Sequence, residues 1–168
     1  MTENLEIKVL SEKRKSRKEK IVDAFSNVSY SLVTGAALDY FSGLNFWGII
    51  TSRASASGLN AVTGAPYGLW RNFVFNKTRT SDENSIFRKG FVDFLAFNSF
   101  QTPIYASAVA LGSLVSEGEV KWDKVADGAI NLALVSPLIG PTLGIYYDFL
   151  RNICGLKSAA EKAGEKLK

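Results

Sequence analysis

Residues 91–111 read FVDFLAFNSFQTPIYASAVAL, and the fold turns on how this stretch is read. It has 21 residues and a single side chain that carries charge at neutral pH, Asp93. Arg88, Lys89 and Gly90 precede it, and Gly112 follows. As a helix rising ~1.5 Å per residue it is about 30 Å long, the thickness of a bilayer's hydrocarbon core. In water such a helix needs burial on every side; in lipid it needs no other shield. Its polar groups then become informative. Asp93 lies about one turn in, and Asn98, Gln101 and Tyr105 continue a polar line inward. Pro103 removes a backbone donor between them, where the helix can bend.

Composition alone hides this pattern. The 168 residues are 46% hydrophobic and 12% aromatic, enough for one domain. Mean hydropathy is only +0.04 because charge is segregated to the ends. Residues 1–20 hold seven Lys/Arg and four Glu, and residues 151–168 are also highly charged. There is no histidine, so imidazole catalysis and His-ligated metal are excluded. The one cysteine, Cys154, excludes an intrachain disulfide or a CxxC site. No Gly-rich phosphate loop, nucleophile elbow or metal cluster is visible, which argues against an enzyme and for no cofactor. A net charge of +4 raises nucleic acid as a partner. The cations, however, cluster at the ends of apolar segments, which fits a membrane better.

The expected fold is therefore an all-α membrane protein with four transmembrane helices in two similar hairpins. The spans fall at about 21–41, 47–75, 91–111 and 125–150, flanked by a basic tail (1–20) and a charged tail (151–168). The second span is the least apolar, with Arg53, Asn60 and several Ser, Ala and Gly. Ser42–Asn45 reads as a tight turn, 76–90 as a charged loop and 112–124 as a short polar connection. Lys and Arg concentrate in both tails and in the second connection, so these are expected on the cytoplasmic side. The tail cations 13–18 set topology and can touch anionic lipid.

The hairpins resemble each other. Val22-Asp23 and Ser29-Tyr30 match Val92-Asp93 and Ser99-Phe100 at an offset of 70. The run from Gly64 through Gly68 to Phe73 matches that from Gly140 through Gly144 to Phe149 at an offset of 76. Both runs contain GxxxG, which lets helix backbones approach closely in lipid. Gly64, Gly68, Gly140 and Gly144 then serve either packing within the subunit or a homo-dimer or higher oligomer. A repeat of this kind places its pseudo-axis along the membrane normal.

Ionised groups in hydrocarbon cost at least ~2.5–3.5 kcal/mol at mid-depth, so each needs a reason. Asp23 and Asp93 lie in first helical turns, where the helix dipole favours an acid. Asp39 falls near the outer surface. Arg53 either pairs with Asp39 or meets a substrate carboxylate. Asn60 reads as an interhelical hydrogen-bond partner.

The combination Ser52-Arg53, Asn60, Pro66-Tyr67-Gly68-Leu69-Trp70-Arg71, Asp93-Phe-Leu-Ala96, Phe100-Gln-Thr-Pro-Ile-Tyr105 and Gly144-Ile-Tyr-Tyr-Asp148-Phe resembles the bacterial L-alanine exporter family. The match runs over roughly residues 21–154. Its most specific parts are the Pro-Tyr-Gly block, which adds Tyr67 to the candidates, and the Phe-Gln-Thr-Pro-Ile-Tyr block. The chain departs from the family in its longer basic N-terminal tail, its second connection and its small polar residues at 51–65. The resemblance implies a four-helix inner-membrane protein that exports L-alanine using the proton gradient. It also implies that Asp23, Asp39, Arg53 and Asp93 match charged positions in the family's spans. The expected mechanism is alternating access. Asp93 exchanges a proton or holds the substrate ammonium, Arg53 meets the carboxylate, and Gln101, Asn98 and Tyr105 line the path. The rivals are a passive small-solute channel and a non-transporting membrane scaffold. The expected partners are a small neutral amino acid, protons and lipid, with no nucleic acid.

Overall fold

The computed structural model describes residues 2–41 and 45–167, with the side chains of 2–9, 38, 39, 41, 52, 55, 112, 113, 115–117 and 124 outside the description. The described residues form five helices and no strand: α1 (Thr2–Phe41), α2 (Phe46–Lys77), α3 (Ile86–Glu117), α4 (Trp122–Ile153) and α5 (Ala159–Leu167). The basic tail and the first apolar stretch are one 40-residue helix, about 60 Å long. No Gly or Pro interrupts it before Gly35, so nothing in the sequence separates them. The expected turn at Ser42–Asn45 lies outside the described residues up to 44. Asn45 itself caps α2, its side chain accepting from the Gly48 N–H at 2.9 Å.

The second connection is shorter than expected. Ser85 caps α3 by accepting from the Arg88 N–H at 3.3 Å, so the helix starts before residue 90. The loop that remains is pinned by Arg88, which donates to the Thr78 carbonyl at 3.0 Å. Helix α3 continues to Glu117 and stops at Gly118, whose positive φ of 78° suits only glycine without strain. Helices α2, α3 and α4 run through Pro66, Pro103, and Pro137 and Pro141, respectively. After α4 the chain turns at Gly155, and the charged C-terminal segment holds α5. Ala159, Ala160 and Ala163 of α5 are buried against Phe75 and Val92.

Among the described residues one stretch, Val125–Ile153, is long and apolar enough by composition to cross a membrane. The other long helices also carry internal polar groups: Asp23 and Asn27 in α1, Arg53 and Asn60 in α2, Asp93, Asn98 and Gln101 in α3.

The chain forms two compact units. Unit 1 is Met1–Leu69 with Tyr146–Ser158, and unit 2 is Trp70–Ile145 with Ala159–Lys168. Unit 1 thus contains α1, most of α2 and the C-terminal end of α4, and unit 2 contains α3, most of α4, the C-terminal end of α2 and α5. Burial departs from that of a water-soluble protein. The largest fully buried side chains are Arg71 and Arg151, while Phe25, Val33, Trp47, Val62, Leu134, Leu138 and Ile145 are exposed.

Candidate functional site

In unit 1 the organising group is Asp23, placed on α1 one turn before Asn27. Its carboxylate is buried and receives two hydrogen bonds from Arg151, both 2.8 Å, from Nε to Oδ1 and from Nη2 to Oδ2. This is the fork-on-fork geometry that guanidinium and carboxylate form best. Arg151 also reaches Glu19 at 3.5 Å and the Gly68 carbonyl at 3.5 Å. The glycines of α2 permit the approach. A Cβ on Gly64 would lie 2.7 Å from the Ala24 Cα and 2.9 Å from the Asp23 carbonyl oxygen, and one on Gly68 would overlap the Asp23 carboxylate. Helices α1 and α2 are further joined by Asn27, which donates to the Asn60 carbonyl at 3.1 Å, and by Asn60, which donates to Ser31 at 2.7 Å.

In unit 2 the same construction surrounds Asp93. Arg71 donates from Nε to Oδ1 at 2.5 Å and from Nη2 to Oδ2 at 3.2 Å, and both side chains are buried. A Cβ on Gly140 would lie 2.8 Å from the Phe94 Cα, and one on Gly144 would overlap the Asp93 carboxylate. The Arg71 guanidinium stacks over the Phe75 ring at 4.9 Å.

The two sets of contacts correspond position by position under the offsets 70 and 76. Gly64 on Ala24 and Asn27 becomes Gly140 on Phe94 and Phe97; Gly68 on Asp23 becomes Gly144 on Asp93. The Tyr146 hydroxyl donates to Ser29 at 3.0 Å, and at the equivalent place the Trp70 indole N–H donates to Ser99 at 3.0 Å. The arginines are the exception. Arg71 corresponds to Tyr147 (71 + 76) and Arg151 to Phe75 (151 − 76). Each helix end thus offers an arginine and an aromatic one turn apart, in opposite order.

The other expected site residues are placed as follows. Asn98 donates to the buried Ser136 hydroxyl at 2.6 Å and accepts from Thr102 at 3.0 Å, joining α3 to α4. Gln101 is half-buried on α3. Tyr105 is partly exposed, and its ring lies against Gly128, where a Cβ would come within 2.9 Å of it. Tyr67 is fully buried, packed edge-on to Tyr147 at 5.4 Å between centroids. Arg53 donates to the Ser31 carbonyl at 3.2 Å and lies on Gly35. Asp39 belongs to the residues whose side chains are outside the description, and so does its pairing with Arg53. The four packing glycines all meet α1 or α3 of their own chain.

Arg71 and Arg151 were not among the candidates read from sequence. A signal for them exists: each lies three or seven residues after the second glycine of a GxxxG pair, on the glycine's own helix face.

Described residues that form helices and no strand, with ion pairs inside and large apolar side chains outside, have the residue distribution of a membrane protein. The family model described as L-alanine exporter matches residues 11–157, and the chain belongs to that family. The L-alanine exporter AlaE of Escherichia fergusonii is 27% identical over 135 residues, 79% of this chain and 82% of that protein. That of Citrobacter koseri is 27% identical over 139 residues, covering 82% and 89%. That of Escherichia coli K12 is 28% identical over 134 residues, covering 79% and 85%. No solved structure matches the chain.

Proposed function

We propose that this chain exports L-alanine, or a similar small neutral amino acid, across the bacterial inner membrane in exchange for protons. The observation that carries the reading is family membership over residues 11–157, joined to a buried carboxylate–guanidinium pair. Helices α1 to α4 have 40, 32, 32 and 32 residues, each beyond the ~20 needed to cross a bilayer. We assign all four as spans, with both termini cytoplasmic.

The chemistry follows from Asp93 and Arg71. Alanine is a zwitterion with the same two charges as this pair. Its ammonium fits Asp93 and its carboxylate fits Arg71, so binding exchanges one ion pair for two without stranding a charge. One carboxylate cannot hold an ammonium ion and a proton together. Proton and alanine therefore compete for Asp93, which couples their movement in opposite directions. Asn98, Gln101 and Tyr105 line the approach on α3, and in unit 1 Arg53 is a separate candidate for the substrate carboxylate. A homo-oligomer belongs to the proposal through surfaces other than the four glycines, which are occupied within the chain.

The test uses everted inner-membrane vesicles from cells expressing the chain. An imposed pH gradient, acid inside, should make them accumulate labelled L-alanine, and a protonophore should abolish the accumulation. Accumulation that survives the protonophore would refute proton coupling, and vesicles that never accumulate alanine would refute export.

A further inference from the structure

Unit 1 carries a second feature besides its ion pair. A cavity of about 600 Å³ is lined by Leu10, Arg14, Lys15 and Lys18 of α1 and by Gly155 and Leu156 beyond α4. Among the described residues no carboxylate lines it. Lys18 closes one wall by donating to the Cys154 carbonyl at 2.6 Å, and Arg14 and Lys15 are exposed. The cavity thus presents concentrated positive charge beside an apolar wall.

The helix that supplies these cations also supplies an apolar track. Positions 10, 14, 18, 21, 25 and 32 are spaced by three, four or seven, so they share one stripe of α1. Beyond Lys18 this stripe is Ile21, Phe25 and Leu32, which are 62%, 60% and 41% exposed. Ile21 to Leu32 covers about 16 Å along the helix, close to half of the ~30 Å hydrocarbon core. A soluble anion would use the cavity alone. A molecule with an anionic head and an apolar chain one leaflet deep would use both features.

We propose that this cavity binds the anionic headgroup of a phospholipid, whose acyl chain lies along Ile21, Phe25 and Leu32. The site rests on the membrane reading given above. It makes α1 a lipid-binding helix as well as the carrier of Asp23.

The test uses the purified full chain in phosphatidylcholine nanodiscs, with phosphatidylglycerol titrated in and retained lipid counted by native mass spectrometry. The wild type should prefer phosphatidylglycerol. Arg14→Gln/Lys15→Gln should weaken that preference by about fivefold per cation removed. Lys13→Gln/Arg17→Gln removes the same charge from α1 outside the cavity lining and should leave the preference nearly intact. Equal loss in both variants would overturn the site in favour of diffuse attraction. Competition by glycerol phosphate at the lipid's own potency would also overturn it, in favour of a soluble anion. Failure of the chain to enter the discs would overturn the membrane reading with it; entry without any preference would overturn the lipid site alone.

Discussion

The Asp93–Arg71 pair is buried in unit 2, and substitutions can separate its structural role from the transport role proposed for it. Asp93→Asn leaves Arg71 buried without its counter-charge, a loss on the order of 3–5 kcal/mol. The purified variant should melt well below the wild type and export no alanine. Replacing both partners, Asp93→Leu/Arg71→Leu, removes the stranded charge and should recover most of the melting temperature while export stays absent. A double variant that exports would remove the pair from the transport mechanism. Melting curves in detergent, paired with vesicle transport, decide this. Asp93 was legible in the sequence because it stands alone in an apolar stretch. Arg71 and Arg151 were not, for a physical reason: both lie at the basic ends of helices, where cations ordinarily mark topology and face headgroups. The internal repeat also conceals them, because it aligns Arg71 with Tyr147 and Arg151 with Phe75.

At the scale of helices, glycine positions set how closely backbones meet. Gly68→Ala and Gly144→Ala each place a methyl group on a carboxylate that an arginine already holds in place. Overpacking of this kind costs about 1–3 kcal/mol, so both variants should melt lower. Gly58 is the internal control, since nothing lies within 4 Å of where its Cβ would be. Gly58→Ala should raise stability by about 0.5–1 kcal/mol, the helix preference for alanine over glycine. If Gly68→Ala and Gly58→Ala melt alike, the close approach of α2 to α1 is wrong. Helix α5 invites a deletion test. Ending the chain after Ser158 removes Ala159, Ala160 and Ala163 from Phe75 and Val92, and should lower the melting temperature of the remainder. The sequence marked both GxxxG pairs through their equal spacing. It did not mark α5, because its apolar face is short, Ala159, Ala160, Ala163 and Leu167, and lies among the Lys and Glu of a charged tail.

For the whole molecule, the buried arginines, the exposed large apolar side chains and the family match lead to a transporter whose two repeats share one construction. Maleimide labelling of single cysteines at positions 2 and 167, in a Cys154→Ser background, should fail from outside intact cells and succeed after lysis. Labelling of either position from outside would reverse the proposed orientation. The central claim is that one carboxylate serves both the proton and the substrate, and proton release tests it most directly. Purified protein in weakly buffered detergent, with a pH-indicating dye, is mixed with L-alanine after equilibration at a series of falling pH values. Once the pH is low enough for Asp93 to carry its proton, wild-type protein should release protons in proportion to the alanine bound, while Asp93→Asn should release none. Alanine binding without proton release at every pH, or equal release from Asp93→Asn, would contradict the claim.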